Sequence, residues 1–179
     1  MKNEGQQLKR MERLVRPSYD YKDSFIEAVR EFEAVGEKIY MRGTEPNDDF
    51  HKLLLKIGER GKGKNLPVDR VSQTELWLVE NDEFIGWVKI RHLLNEKLLE
   101  DGGHIGYAVR PSKRKKGYGT KILGLALLEA KKLGIKKVLL TCDDNNIGSA
   151  KIIEKSGGIL ENKIQTEEKL KRRYWIINS

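Results

Sequence analysis

Between residues 109 and 120 the chain reads Val109-Arg110-Pro111-Ser112-Lys113-Arg114-Lys115-Lys116-Gly117-Tyr118-Gly119-Thr120. Arg110, Lys113, Arg114, Lys115 and Lys116 form the densest basic cluster in the sequence and stand directly before two glycines. An apolar stretch with helical spacing follows, so the segment reads as strand, loop, glycines, helix. A helix start leaves several backbone N–H groups without partners, and its dipole adds positive potential. Glycines let the backbone approach an anion closely. Such a turn is a phosphate cradle, with Arg114 to Thr120 as its binding residues. The bland alternative, a solvated charge run, does not account for the position before Gly117-Tyr118-Gly119.

Other residue types offer less. A dinucleotide fingerprint needs a third glycine at 122, and that position is Ile122. Gly58 to Lys64 nearly spells a nucleotide-binding P-loop, yet position 65 is Asn65 where magnesium needs Ser or Thr. That stretch reads as a mobile loop. His51, His92 and His104 show no metal spacing, so no metal is expected. Cys142 at a strand end reads as a small buried hydrophobe. Asp143 and Asp144 read as helix-capping carboxylates. Trp77, Trp87 and Trp175 fall in strands and read as core or sheet-face residues.

These residues must be positioned by the elements around them. Glu12 to Arg16 predicts a first strand, stopped by Pro17. A helix follows, with Phe25, Ile26, Val29 and Phe32 on one face, ending near Gly36. A second helix is predicted from about Asn47 to Ile57. Glu75 to Glu80 and Phe84 to Arg91 predict a hairpin about Asn81-Asp82-Glu83. A polar connection from Leu94 to Gly103 leads into a strand from His104 to Val109. A helix is expected from Tyr118 to Leu133, capped by Gly134, then a short central strand from Val138 to Cys142. A helix from about Asn146 to Lys155 and strands near Ile159 to Ile164 and Arg172 to Ile177 complete the chain. This order predicts a mixed α/β sheet in a single domain spanning residues 1–179, with residues 1–10 frayed.

Composition bounds the reading. The net charge of +8 with 35% charged and 38% hydrophobic residues describes a heavily solvated surface. No apolar run approaches the roughly 20 residues of a membrane helix, and no signal-peptide pattern opens the chain. One cysteine permits no internal disulfide, which fits the cytoplasm. The positive charge favours polyanions, either nucleic acid or a phosphate-rich cofactor. Outside the one cluster, bases alternate with Asp and Glu and no nucleic-acid motif appears, so nucleic acid ranks last.

Arg114-x-x-Gly117-x-Gly119 resembles the pyrophosphate loop of the GNAT N-acetyltransferase superfamily, written Q/R-x-x-G-x-G/A. Val109-x-Pro111 precedes it as in the family. Asn146-Ile147-Gly148-Ser149 resembles the N-x-x-S that opens the family's next helix. The resemblance covers roughly residues 74 to 177, and more loosely the first strand and two helices. Arg91 to Glu96, Gly102 to Tyr107 and Arg172 to Trp175 further resemble a bacterial subgroup of predicted GNAT acetyltransferases.

The resemblance implies a GNAT-like fold with splayed central strands and an acetyl group moved from acetyl-CoA to a primary amine. The amine belongs to an unidentified small molecule or peptide and attacks directly in a ternary complex. The pantetheine arm would bond backbone groups near Ala108 and Val109, and Asn146 and Ser149 would line the far side. The family's acid tyrosine position, seven residues after Asn146, is here Ile153. His104 is the expected proton acceptor, with His92 and Glu96 as rivals; either solvent or another phenol such as Tyr107 or Tyr174 protonates the thiolate, or turnover is slow. A non-catalytic CoA-binding module is the alternative that Ile153 favours. The family's habit of pairing through late strands makes a homodimer an expectation.

Overall fold

Asn81 and Asp82 adopt positive φ of 49° and 62°, the twist that lets a two-residue turn join right-handed strands. Around them the computed structural model, which describes residues 12–37 and 50–178, builds its longest hairpin. Strand β1 (Arg13–Val15) is followed by a 3-10 turn (Tyr19–Tyr21), helix α1 (Lys22–Ala34) and helix α2 (Phe50–Gly61). The hairpin strands are β2 (Gln73–Glu80) and β3 (Glu83–Arg91). Then come α3 (Glu96–Glu100), β4 (Ile105–Val109), a 3-10 turn (Pro111–Lys113) and α4 (Tyr118–Lys132). Strand β5 (Lys137–Asp143), α5 (Ile147–Lys155), β6 (Ile159–Gln165) and β7 (Leu170–Ile177) finish the order.

The strands form two sheets, β1-β2-β3-β4 and β5-β7-β6, and each ladder among the described residues is antiparallel. The expected α/β class and the pairing of the last two strands both hold. β7 inserts between β5 and β6, so β5 is central to the molecule while lying at the edge of its own sheet.

Strands β2 and β3 are buried on both faces because helices cover both. Phe25, Ala28 and Val29 of α1 and Leu53 and Ile57 of α2 pack against Trp77, Val79, Phe84 and Trp87. On the opposite face Ile122, Leu123, Ala126 and Ala130 of α4 pack against Leu76, Leu78, Val88, Ile90 and Ile105. Each large side chain buried in this way contributes roughly 1.5–3 kcal/mol. Trp77 is fully buried and stacks on Phe25 at 4.6 Å, and Trp87 is buried beside it, so these two are core, while Trp175 is a partly buried sheet-face residue.

Two segments differ from expectation. Helix α2 runs through Gly58 to Gly61, so the predicted loop begins later; buried Leu53 and Ile57 hold the helix against its glycines. The polar connection contains α3, nucleated by Asn95, whose Oδ1 accepts the Leu98 N–H at 3.0 Å. The expected fraying of residues 1–10 and the predicted helix start at Asn47 lie outside the described residues.

Candidate active site

The turn before α4 is built from an alternation of handedness. Lys115 takes φ 60° and Gly117 φ 88°, and Gly117 is the N-cap of α4. The first helical bond outside the body of α4 runs from the Lys121 N–H to the Gly117 carbonyl at 3.1 Å. The N–H groups of residues 117–120 have no acceptor among the described residues, and no side chain caps the helix. Four donors at the positive end of a fifteen-residue helix form a site for an anion.

The basic cluster is largely spent inside the protein. Arg110 is 4% exposed, and its guanidinium donates to Glu31, to Glu83 at 3.2 Å and to the Phe84 carbonyl at 3.2 Å. Lys113 Nζ donates to Glu83 at 2.6 Å. Arg114, expected to face a phosphate, turns the other way. Its two Nη atoms each donate to Glu37 at 2.6 Å, and its Nε donates to the Val109 carbonyl at 3.0 Å. Lys115 is exposed, and Lys116 reaches back to the Ser112 carbonyl at 3.0 Å. The reason sequence alone overcounts this cluster is that Glu31, Glu37 and Glu83 lie roughly 30 to 80 residues away along the chain.

The remaining turn residues divide by what they touch. Tyr118 donates its hydroxyl to Glu80 at 2.7 Å, which ties the start of α4 to the end of β2 and pushes the phenol up to about 12. A Cβ on Gly119 would lie 2.7 Å from Ile152 Cδ1, so this glycine admits close approach of α5. Gly117 has open space beside it and is required instead by its positive φ. Thr120 is exposed at the third helical position.

Strand β4 supplies an open edge. The Arg91 N–H donates to the His104 carbonyl and the Arg110 N–H to the Ile85 carbonyl. With the β3–β4 register, antiparallel alternation turns the N–H and C=O of residues 106 and 108 toward β3. A Cβ on Gly86 would lie 2.3 Å from the Ala108 carbonyl oxygen, which confirms that direction. The expected use of Ala108 backbone is therefore corrected: Tyr107 and Val109 face the edge, and the Val109 carbonyl is already held by Arg114. No ladder joins β4 to β5.

The two strands meet only where the chain enters β4. The His104 N–H donates to the Leu139 carbonyl at 2.8 Å, and the Leu139 N–H donates to His104 Nδ1 at 2.9 Å. A neutral imidazole has one lone-pair nitrogen. Here that nitrogen is Nδ1, so Nε2 carries the proton and cannot accept another. Burial, then the Arg91 charge, lowers the His104 pKa and keeps the ring neutral. The expectation of His104 as proton acceptor gives way to a sheet-joining residue. Among its rivals, His92 Nε2 lies 2.8 Å from Thr74 Oγ1, and Glu96 is an exposed first-turn residue of α3.

On the other side of the gap, Asn146 caps α5, its Oδ1 accepting the Ser149 N–H at 3.0 Å. Tyr107 projects toward this helix start. Its hydroxyl is buried and closes no hydrogen bond; burial raises its pKa, and Ser149 is the neighbour that moderates the rise. Ile153 is 1% exposed within the α4–α5 core. Tyr174 is fully buried and donates to Glu154 at 2.9 Å.

One buried pair escaped the sequence reading. Glu75 on β2 and Lys89 on β3 are directly paired in register, 5% and 6% exposed, with Nζ and Oε2 3.8 Å apart. Neither Glu75 oxygen closes a hydrogen bond. Burial pushes the carboxyl up against the opposing pull of Lys89, and burial likewise lowers Lys89. Gly106 lies opposite Lys89 on β4, so this row crosses the sheet on the α1–α2 side and reaches the open edge. Alternation of Glu75, Trp77 and Val79 on one face was the readable signal.

A sheet split beside a donor-rich helix start is the architecture of acyl-CoA N-acyltransferases. Residues 13–159 match the sequence profile of the family described as acetyltransferase (GNAT) domain, and the chain belongs to that family. It is accordingly an acetyl-CoA-dependent N-acyltransferase. No curated protein sequence matches significantly.

Among solved structures, the chain is similar to a Salmonella typhimurium acetyltransferase that modifies the N-terminal serine of ribosomal protein L7/L12 (14% identity, 92% of this chain and 93% of that one, TM-score 0.64). It is also similar to the microcin C7 self-immunity acetyltransferase MccE in complex with acetyl-CoA and AMP (14% identity, 92% and 91%, TM-score 0.63). A third is a GNAT-family acetyltransferase from Streptococcus pneumoniae (14% identity, 93% and 99%, TM-score 0.64). At these identities the likeness is one of fold.

Among the described residues no helix is long and apolar enough to cross a membrane, and no group of three ligands could hold a metal.

Proposed function

We propose that the chain moves the acetyl group of acetyl-CoA to a primary amine of a small molecule or peptide by direct attack in a ternary complex. One observation carries this reading: the open edge of β4 and the donor-rich start of α4 are neighbours, joined by the turn from Arg110 to Gly117. The N–H groups of residues 117–120, with Lys115, hold the pyrophosphate. The N–H of Val109 and the backbone of Tyr107 bond the pantetheine arm as an added strand would. When bound, acetyl-CoA supplies a thioester carbonyl and a thiol leaving group. The edge N–H groups of β4 polarise that carbonyl.

Tyr107 donates its phenolic proton to the departing thiolate. Burial holds the phenol protonated at neutral pH, and the proton shed by the attacking neutral amine, passed through the neighbouring Ser149 hydroxyl, returns to the phenolate. This supplies the acid function that Ile153 lacks.

Calorimetric titration with acetyl-CoA, CoA and ATP at one ionic strength tests the reading. Micromolar binding of both CoA species with much weaker ATP is expected, and thiol release across an amine panel then identifies the acceptor. Gly119→Trp, which drives a large ring between α4 and Ile152, should abolish binding. Unchanged binding in that variant would overturn the assigned turn.

A further inference from the structure

Arg114 makes three directed contacts, none of them to an anion site. Both Nη atoms meet one carboxylate, Glu37, three residues beyond the end of α1, at 2.6 Å each. Nε holds the last carbonyl of β4, and the guanidinium lies 5.5 Å over the Phe32 ring. A planar fork on a carboxylate is a geometric clamp more than a point charge. The hydrogen bonds from Arg114, stronger than the opposing effect of burial, hold the Glu37 carboxyl below its usual range. Glu37 is therefore ionised at neutral pH and cancels the field of Arg114 at a distance.

We propose that Glu37 and Arg114 act together as positioning residues for the cofactor, bracing the end of β4 and the start of the phosphate turn instead of gripping the pyrophosphate. This rests on the reading that the start of α4 takes that group. The brace acts at both ends of the cofactor site. Through Val109 it fixes the edge that receives the pantetheine arm. Through the Arg114 backbone it fixes the turn whose left-handed residues, Lys115 and Gly117, aim the N–H donors. A site held in its binding geometry avoids the ordering cost of forming it on contact. Glu31 does the same one turn earlier along the loop, accepting from both the N–H and the hydroxyl of Ser112 at 3.0 and 2.9 Å.

The proposal inverts the simplest electrostatic expectation. Removing a negative charge beside a polyanion's site ordinarily tightens binding; here it releases the brace. Acetyl-CoA is titrated calorimetrically at low and high salt into the wild type, Glu37→Gln, Arg114→Ala and the double variant. Glu37→Gln and Arg114→Ala should each weaken binding roughly three- to tenfold. The double variant should be no weaker than the poorer single one and should keep the wild type's salt dependence, because the pair is neutral with both charges present and with both absent. Glu37→Asp, which keeps the charge, should fall closer to the wild type than Glu37→Gln. Matching thermal melts separate these effects from unfolding. Tighter binding by Glu37→Gln, or a flattened salt dependence in the double variant relative to the wild type, would show that Arg114 grips the anion and overturn the brace. A wild type that binds no acetyl-CoA at either salt overturns the cofactor reading and the brace with it.

Discussion

Single residues here separate two roles that share one chemistry. His104, where the chain enters β4, and Tyr107 on that strand are three residues apart and both titratable, yet His104 spends its lone pair on the Leu139 N–H while the buried Tyr107 hydroxyl closes no hydrogen bond. Tyr107→Phe should lower the rate of acetyl transfer about a hundredfold, a typical loss for a proton-transfer group, with acetyl-CoA affinity unchanged. His104→Asn keeps an oxygen that can accept the Leu139 N–H. Its rate should stay within a few-fold of wild type, with no change in the pH–rate profile between about 5 and 8. A hundredfold loss in His104→Asn, recovered at higher pH, would restore the imidazole to a chemical role. The histidine was visible in the sequence; the partner of its Nδ1, thirty-five residues downstream, was not.

At the scale of elements, α1 does more than cover the sheet. Its outer acids, Glu27 and Glu31, face Arg110 from one side while Glu83 of the hairpin faces it from another. Burial alone would raise the Glu31 pKa. Hydrogen bonds from Arg110 and from Ser112 outweigh that and bring it to about 2. A carboxyl depressed in the folded state stabilises the protein above its unfolded value near 4.5, and that contribution is lost as pH falls from there toward 2. Solvent screening at this partly exposed site limits it to about 1–2 kcal/mol. Urea unfolding at pH 7 and pH 3 should show Glu31→Gln destabilised at both, with a clearly smaller deficit at the second. An equal deficit at both would assign the loss to packing. The helix itself was legible, since Phe25, Val29 and Phe32 share a face. Which acids it aimed at the turn before α4 was not, because every exposed Glu on a helix reads alike.

The molecule as a whole is two sheets that must touch at one end and part at the other. Besides the His104–Leu139 pair, Thr141 of β5 makes the join. Its hydroxyl accepts the Gly102 N–H at 2.8 Å and donates to Asp101 at 3.1 Å. Lys171 of β7 adds a cation between Asp101, at 3.0 Å, and Asp143, at 2.7 Å. Thr141→Val keeps the shape but strands a part-buried N–H, which should cost about 1–3 kcal/mol. The melting temperature should fall by several degrees, and acetyl-CoA affinity should drop because the gap is no longer set. An unchanged melting temperature would mean that water replaces the hydroxyl and that the seam lies elsewhere.

Local order was written in the sequence. Hydrophobic spacing set the helices, Asn81-Asp82 set the hairpin, Gly117 set the left-handed start of α4, and Asn146 set the start of α5. All of these depend on neighbours within a few residues, where spacing and dihedral preference are enough. The donor-rich turn before α4 was legible for the same reason, since its donors are consecutive backbone groups. What only the tertiary structure decided was which charges and lone pairs remained available. Arg110, Lys113 and Arg114 were given distant acids, His104 was given a backbone N–H of β5, and Ala108 was turned into the β3 ladder. Each is a pairing between segments far apart in the chain. Ion pairs and ladder parity are fixed by register and packing, which no run of consecutive residues contains.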